Sequence, residues 1–161
     1  MASTRWLVCE QTGRWAVALR RTLGDYSFRL YETRSLADCQ RELALCPASF
    51  TFVEVTAANL AQAVVWIERV NREYPAVRVA VVGPRSMQEY AWEVREAGAI
   101  AAVFSPRELA PLVRMARRHC LNCPPDELSV QEHVWNRMPW KRWAAANRNR
   151  RSAESDPSAP R

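Results

Sequence analysis

The chain has 161 residues, 48% of them apolar, 25% charged and only 4 glycine. That composition excludes fibrous and disordered classes and leaves room for one ordinary domain with a core plus an appendage. The formal charge of +6 is unevenly placed: Trp135 to Arg151 holds Arg137, Lys141, Arg142, Arg148, Arg150 and Arg151 with no acid, so the remainder sums to zero and overall basicity is no sign that the folded part binds nucleic acid.

Five short apolar runs rich in β-branched and aromatic residues alternate with segments whose apolar residues recur at helical spacing. Trp6-Leu7-Val8-Cys9 predicts the first strand, and Trp15, Leu19 and Leu23 predict a helix stopped by Gly24. Phe28 to Tyr31 is the second strand, followed by Leu36, Cys39, Leu43 and Cys46 on one helix face, with Ser35 as N-cap and Pro47 beyond the end. Phe50 to Val53 is the third strand; Leu60, Val64, Ile67, Val70 and Tyr74 form the third helical stripe, ended by Pro75. Val77 to Val82 predicts the fourth strand, and Met87, Tyr90 and Val94 a helix with Ser86 as N-cap and Gly98 as its stop. Ala99 to Phe104 and then Leu109, Leu112, Val113, Ala116 and Cys120 complete the series.

After Asn122 the pattern changes. Cys-Pro-Pro-Asp-Glu is a linker signal, Asp126 to Arg137 reads as a short helix ended by Pro139, and Arg148 to Arg161 reads as disordered. No stretch approaches the roughly 20 apolar residues of a membrane-spanning helix, and the N-terminus lacks the apolar core of a signal peptide, so a cytoplasmic location is expected. Five cysteines, an odd number in a chain large enough to need no staples, are expected to be free thiols.

Strict alternation of strand and helix implies right-handed crossovers and a parallel sheet covered on both faces. Residues 5–122 are therefore expected to form a flavodoxin-like, doubly wound α/β domain, with five strands in the order 2-1-3-4-5 and five helices. Residues 123–161 are expected to be a linker, a short helix and a basic Trp/Arg-rich tail.

The same segment resembles a bacterial response-regulator receiver domain, most specifically in Glu96-Ala97-Gly98-Ala99 running to Phe104-Ser105-Pro106, which is similar to the receiver's Gly-Ala turn, fifth strand and Lys-Pro element. The resemblance implies a phosphoryl-transfer site at the strand ends: an acidic pair holding Mg²⁺, an acceptor Asp, a hydroxyl and a lysine. Charge on the transferred group must be neutralised by metal and lysine together. The chain departs at most of these places. The acidic pair falls on Cys9-Glu10, the acceptor on Glu54, the hydroxyl on Gly83, the lysine on Ser105 and the fifth-strand aromatic on Ala102. Cysteine is a poor ligand for magnesium. Lys141, in the tail, is the only lysine in the chain, so no shift of alignment restores the cation. The resemblance thus implies a degenerate receiver with no catalytic residue, metal, cofactor or small-molecule substrate.

Glu54 has two readings, as a fixed charge imitating a phosphorylated Asp and as a tolerated polar residue at a strand end. A weak cation site at Glu10 and Glu54 is a further, less favoured possibility. His119-Cys120-Leu121-Asn122-Cys123 contains one CxxC, but a zinc site needs four ligands and a redox CxxC sits at a helix start, so a core role for Cys120 is favoured. Trp135, Met138, Trp140 and Trp143, interleaved with Arg137, Lys141 and Arg142, either pack back on the domain, dock a partner protein, or touch nucleic acid or an anionic membrane.

The leading expectation is a non-enzymatic signalling module that binds protein partners, a second copy included, without phosphorylation. The resemblance places contact on the face of the fourth helix, fifth strand and fifth helix, at Tyr90, Trp92, Arg95, Phe104, Arg107 and Arg114, with Trp135, Trp140, Arg142 and Trp143 as tail candidates. The alternative is association with nucleic acid or an anionic membrane through the tail, marked by strong salt dependence. An enzyme with unrelated chemistry grafted on the sheet ranks last, because no phosphate loop, triad or metal set is visible.

Overall fold

The computed structural model describes residues 5–24 and 29–123. The elements expected in the tail, and Trp135, Trp140, Arg142 and Trp143 with them, lie outside the described residues. Strands β1 (Arg5–Cys9), β2 (Arg29–Thr33), β3 (Phe50–Glu54), β4 (Arg78–Val82) and β5 (Ala101–Val103) alternate with helices α1 (Arg14–Leu23), α2 (Leu36–Leu45), α3 (Leu60–Glu73), α4 (Ala91–Glu96) and α5 (Leu109–Asn122). All strand pairings are parallel, and the order is β2-β1-β3-β4-β5. Among the described residues no helix is long and apolar enough to cross a membrane.

The pleat sorts the strands' side chains onto two faces. Leu7, Cys9, Val53, Val79 and Val81 meet Cys39, Leu43, Trp66, Ile67 and Val70 of α2 and α3 on one side. Trp6, Val8, Phe50, Phe52, Ala80 and Val82 meet α1 and α5 on the other. Phe52 joins the two aromatic neighbours of that second layer, with ring centroids 5.8 Å from Trp6 and 5.1 Å from Phe50. The buried Trp6 indole N–H donates to Cys120 Sγ at 2.9 Å, tying β1 to α5.

Helix boundaries follow local chemistry. Ser35 is extended, and its hydroxyl accepts from the Asp38 amide at 3.1 Å, so α2 starts where expected. Ser35→Ala should lower stability by about 1 kcal/mol in a urea titration; an unchanged midpoint would show that solvent replaces the cap without loss. Gly24 closes α1 at φ 61, a backbone region that favours glycine.

Two expectations need correction. Ser86 is not an N-cap: the chain enters a 3-10 turn at Arg85–Tyr90 directly after Pro84, whose carbonyl accepts from the Met87 amide at 2.9 Å. Pro84 ends the extended run, and the tighter winding turns Met87 inward. The fifth strand is also shorter than Ala99 to Phe104. The Ala99 amide bonds back to the Val94 carbonyl, and Phe104 turns into the core.

Candidate functional site

In a sheet of this order the carboxyl ends of β1 and β3 border a crevice, because the connections leave them in opposite directions. Cys9, Glu10, Glu54, Arg34, Asn59 and Gln62 line a cleft of about 300 Å³ there. The structure brings together two of the degenerate positions, the Cys9-Glu10 pair and Glu54, and turns each to a structural task.

Glu10 is only 2% exposed. Its Oε2 accepts from the Trp15 amide and its Oε1 from the Ala16 amide, each at 2.7 Å. These are the N–H groups of the first turn of α1 that a capping side chain ordinarily satisfies, and the residue at the cap, Gly13, has none to offer. Thr12 Oγ1 takes the Arg14 amide at 3.4 Å, so the start of the helix is fully accounted for. Both Glu10 oxygens therefore face backbone amides and the positive end of a helix dipole, an arrangement that anchors α1 and leaves the carboxylate badly placed for a cation. The cation site considered for Glu10 and Glu54 is not formed in this way.

Cys9 is buried against Cys39 of α2. The hydrogen bond from Cys39, with a smaller one from Thr33, favours the Cys9 thiolate against the cost of burial, while Cys39 is pushed well up by the same contact and by its own burial. Glu54 is half-buried, and its Oε2 accepts the Gln11 amide at 3.1 Å. Asn59 fixes the loop after β3 by donating to the Glu54 carbonyl at 2.9 Å and accepting from the Thr56 amide at 2.7 Å.

Gly83 and Ser105 do not answer the Glu54 charge. A Cβ on Gly83 would lie 2.6 Å from the Val55 carbonyl oxygen, with the Phe104 ring at 3.6 Å on the same side. Ser105 is buried and caps the 3-10 turn Pro106–Glu108 through its hydroxyl, which accepts the Arg107 amide at 3.4 Å. No lysine is there to replace it. Ala102 is partly buried against the core.

Of the residues expected on the partner face, Trp92 is 69% exposed, Arg95, Arg107 and Arg114 are exposed, and Tyr90 is half-buried. Phe104 is a correction: it is buried beside Gly83, because the short β5 ends one residue earlier and the ring fills the space a larger residue 83 would take.

Within the CxxC stretch Cys120 has a core role. Burial pushes the Cys120 thiol up to about 11, the opposite of what a reactive thiol needs. His119 Nε2 lies 2.9 Å from the Ala48 carbonyl, which fixes the proton on that nitrogen. Among the described residues no group of three or more His, Cys, Asp or Glu is placed to hold a metal ion. Burial holds the His119 imidazole below its usual range, partly offset by the Ala48 hydrogen bond and reinforced by Arg78. The unfolded chain then takes up this proton at higher pH than the folded one, so stability should fall as pH drops through about 6.5. His119→Gln should flatten that slope in denaturant midpoints taken between about pH 7.5 and 5.5; an unaltered slope would assign the dependence to other groups.

The chain is similar to a CheY-like protein (tadZ) of Pseudomonas aeruginosa, at 17% identity and TM-score 0.61 over 72% of this chain and 98% of that one. It is similar to an orphan response regulator of H. pylori at 19% identity and TM-score 0.59, over 74% and 98% of the two chains. A third, at 18% identity and TM-score 0.61 over 76% and 100%, is an atypical orphan response regulator whose structure is described as revealing a phosphorylation-independent regulatory mechanism. No family model and no curated protein sequence matches the chain. The fold is that of the response-regulator receiver domain.

Proposed function

We propose that the chain is a non-catalytic receiver-like module that engages protein partners without phosphorylation. One observation carries this reading: the carboxylate at the acidic-pair position is spent on the first-turn amides of α1. A receiver site needs that group free for a metal, and it needs a hydroxyl and a lysine where Gly83 and Ser105 stand. Glu54 then supplies a constant charge at the acceptor position, held by the Gln11 amide. Tyr90, Trp92, Arg95, Arg107 and Arg114 offer the partner face, and exposed Trp92 is the large apolar contact on it.

The test is exposure of the full-length protein to acetyl phosphate and Mg²⁺, read by intact mass. The expected result is no phosphoryl adduct and no change in thermal midpoint with Mg²⁺. An acyl phosphate on Glu54 would overturn the proposal.

The run of Trp135, Trp140 and Trp143 among Arg137, Lys141 and Arg142 favours a second reading, association with nucleic acid or an anionic surface through the tail. It predicts retention that falls steeply with salt and is lost when the chain ends at Asn122.

A further inference from the structure

Helix α5 carries two stripes. Leu109, Leu112, Val113, Ala116 and Cys120 are buried against the sheet. Pro111, Arg114, Met115 and Arg118 repeat at the same i, i+3, i+4, i+7 spacing on another side and face a groove of about 610 Å³. The far wall of the groove is Ile100, just before β5, and Arg78, the first residue of β4. The cleft beside Glu10 is at the carboxyl ends of the strands, so this groove lies at the other end of the sheet.

Its chemistry is one-sided. Ile100 and Met115 remain 38% and 41% exposed, although both are large and aliphatic. Among the described residues no acid lines the groove. Among the described residues the side chains of Arg114 and Arg118 make no hydrogen bond and no ion pair, and the guanidinium of Arg78 donates to the carbonyls of Pro75 and Val77. A neighbouring notch continues the character with Leu121, 72% exposed, between Arg117 and Asn122. An occupant must bring apolar side chains for the floor and negative charge for the rim.

We infer that this groove between α5 and the starting ends of β4 and β5 binds an acidic amphipathic helix of a partner protein. Arg114 and Arg118 stand one helical turn apart, the spacing at which carboxylates recur along a facing helix. Met115 is the adaptable kind of side chain suited to such a floor. Nucleic acid fits less well, because Phe50, the phenylalanine lining the groove, is fully buried and offers no face for stacking a base. The inference rests on the chain being an interaction module and gives that module a ligand class.

The test uses the full-length protein and a labelled synthetic helical peptide with leucines along one face and glutamates beside them, read by fluorescence anisotropy. A scrambled peptide of the same composition and a labelled single-stranded oligonucleotide run in parallel. The peptide should bind more tightly than its scrambled form. The double variant Arg114→Glu, Arg118→Glu should weaken binding about tenfold or more, and Met115→Ser severalfold, with thermal midpoints unchanged. The basic tail is intact in every variant, so binding through the tail would be insensitive to them. Equal affinity for the scrambled peptide, or binding that survives charge reversal, would overturn the inference. So would preference for the oligonucleotide lost on the same reversal, which makes the groove a nucleic-acid site, or self-association abolished by Met115→Ser with no peptide binding, which seats a second copy there. A phosphoryl adduct on Glu54 would sink the proposed function and leave this comparison standing, so the two failures are told apart.

Discussion

Glu10→Ala should lower the stability of the domain by about 3 kcal/mol, one of the largest losses for any polar substitution in the chain. Two hydrogen bonds to a charged acceptor are removed, each worth roughly 1.5 to 3 kcal/mol, and two amides of a buried helix start lose their partners. The sum exceeds the roughly 1 kcal/mol of an ordinary cap because the group is buried and engages both oxygens. Part of the loss is recovered as water reaches the opened helix end. For a domain of this size the thermal midpoint should drop by ~10 °C. Glu10→Asp is the sharper variant. It installs the shorter acid that a receiver resemblance implies, yet one methylene less keeps it from reaching both amides, so it too should destabilise. Glu10→Gln preserves shape but sets an NH₂ against an N–H and should fall between wild type and Ala. A variant series with unchanged midpoints and an altered response to Mg²⁺ would make Glu10 a metal ligand after all.

Gly83→Ala is the second large effect, and its sign is the informative part. The backbone at Gly83 is not in the left-handed region, and replacing a glycine in such a conformation ordinarily gains a few tenths to about 1 kcal/mol through the unfolded chain. Here the new Cβ would stand 2.6 Å from the Val55 carbonyl oxygen. That oxygen belongs to backbone held by the Val55 amide's 2.8 Å bond to the Val82 carbonyl, so it cannot swing aside like the end of a side chain. Separating the strands at this point should cost about 2 to 3 kcal/mol, visible as a lower urea midpoint with an unchanged slope. Gly83→Thr, which would restore the missing hydroxyl, should be worse than Ala. A stabilised Gly83→Ala protein would mean that the strand ends separate freely and that the closeness of Val55 is no obstacle to a working site.

These two residues also mark what could and could not be read from the sequence. The alternation of Trp6 to Cys9, Phe50 to Val53 and Val77 to Val82 with helical stripes such as Leu60, Val64, Ile67 and Val70 made the sheet and its helices legible, because burial on one or both faces imposes a period. Glu10 was legible only as half of an acidic pair. That it serves α1 depends on how the chain turns between Glu10 and Gly13. The one available signal was an acid placed shortly before a helix whose cap residue has no side chain. Gly83 could be read as a missing hydroxyl, not as a crowded point, since the approach of Val55 is a property of two strands distant in sequence. Phe104 was expected on the surface because the resemblance places partner contact on the face that includes the fifth strand, and Phe104, read as the last residue of that strand, lies one beyond the end of β5. The groove on α5 escaped notice for a different reason. A balance of charges over a whole segment says nothing about where they gather, and Arg78, Arg114 and Arg118 come from separate places in the chain.

The bond from Trp6 to Cys120 has a bearing on how the chain is made. On one side of the sheet, β1 can be covered by α2 and α3 once about half of the described residues exist. On the other side, Trp6, Phe50 and Phe52 stay half-roofed by α1 until Leu109 to Cys120 is available. During synthesis the first strand therefore waits, wet on one face, for α5 to emerge, and a nascent chain halted before Leu109 should bind an apolar dye that the finished protein does not.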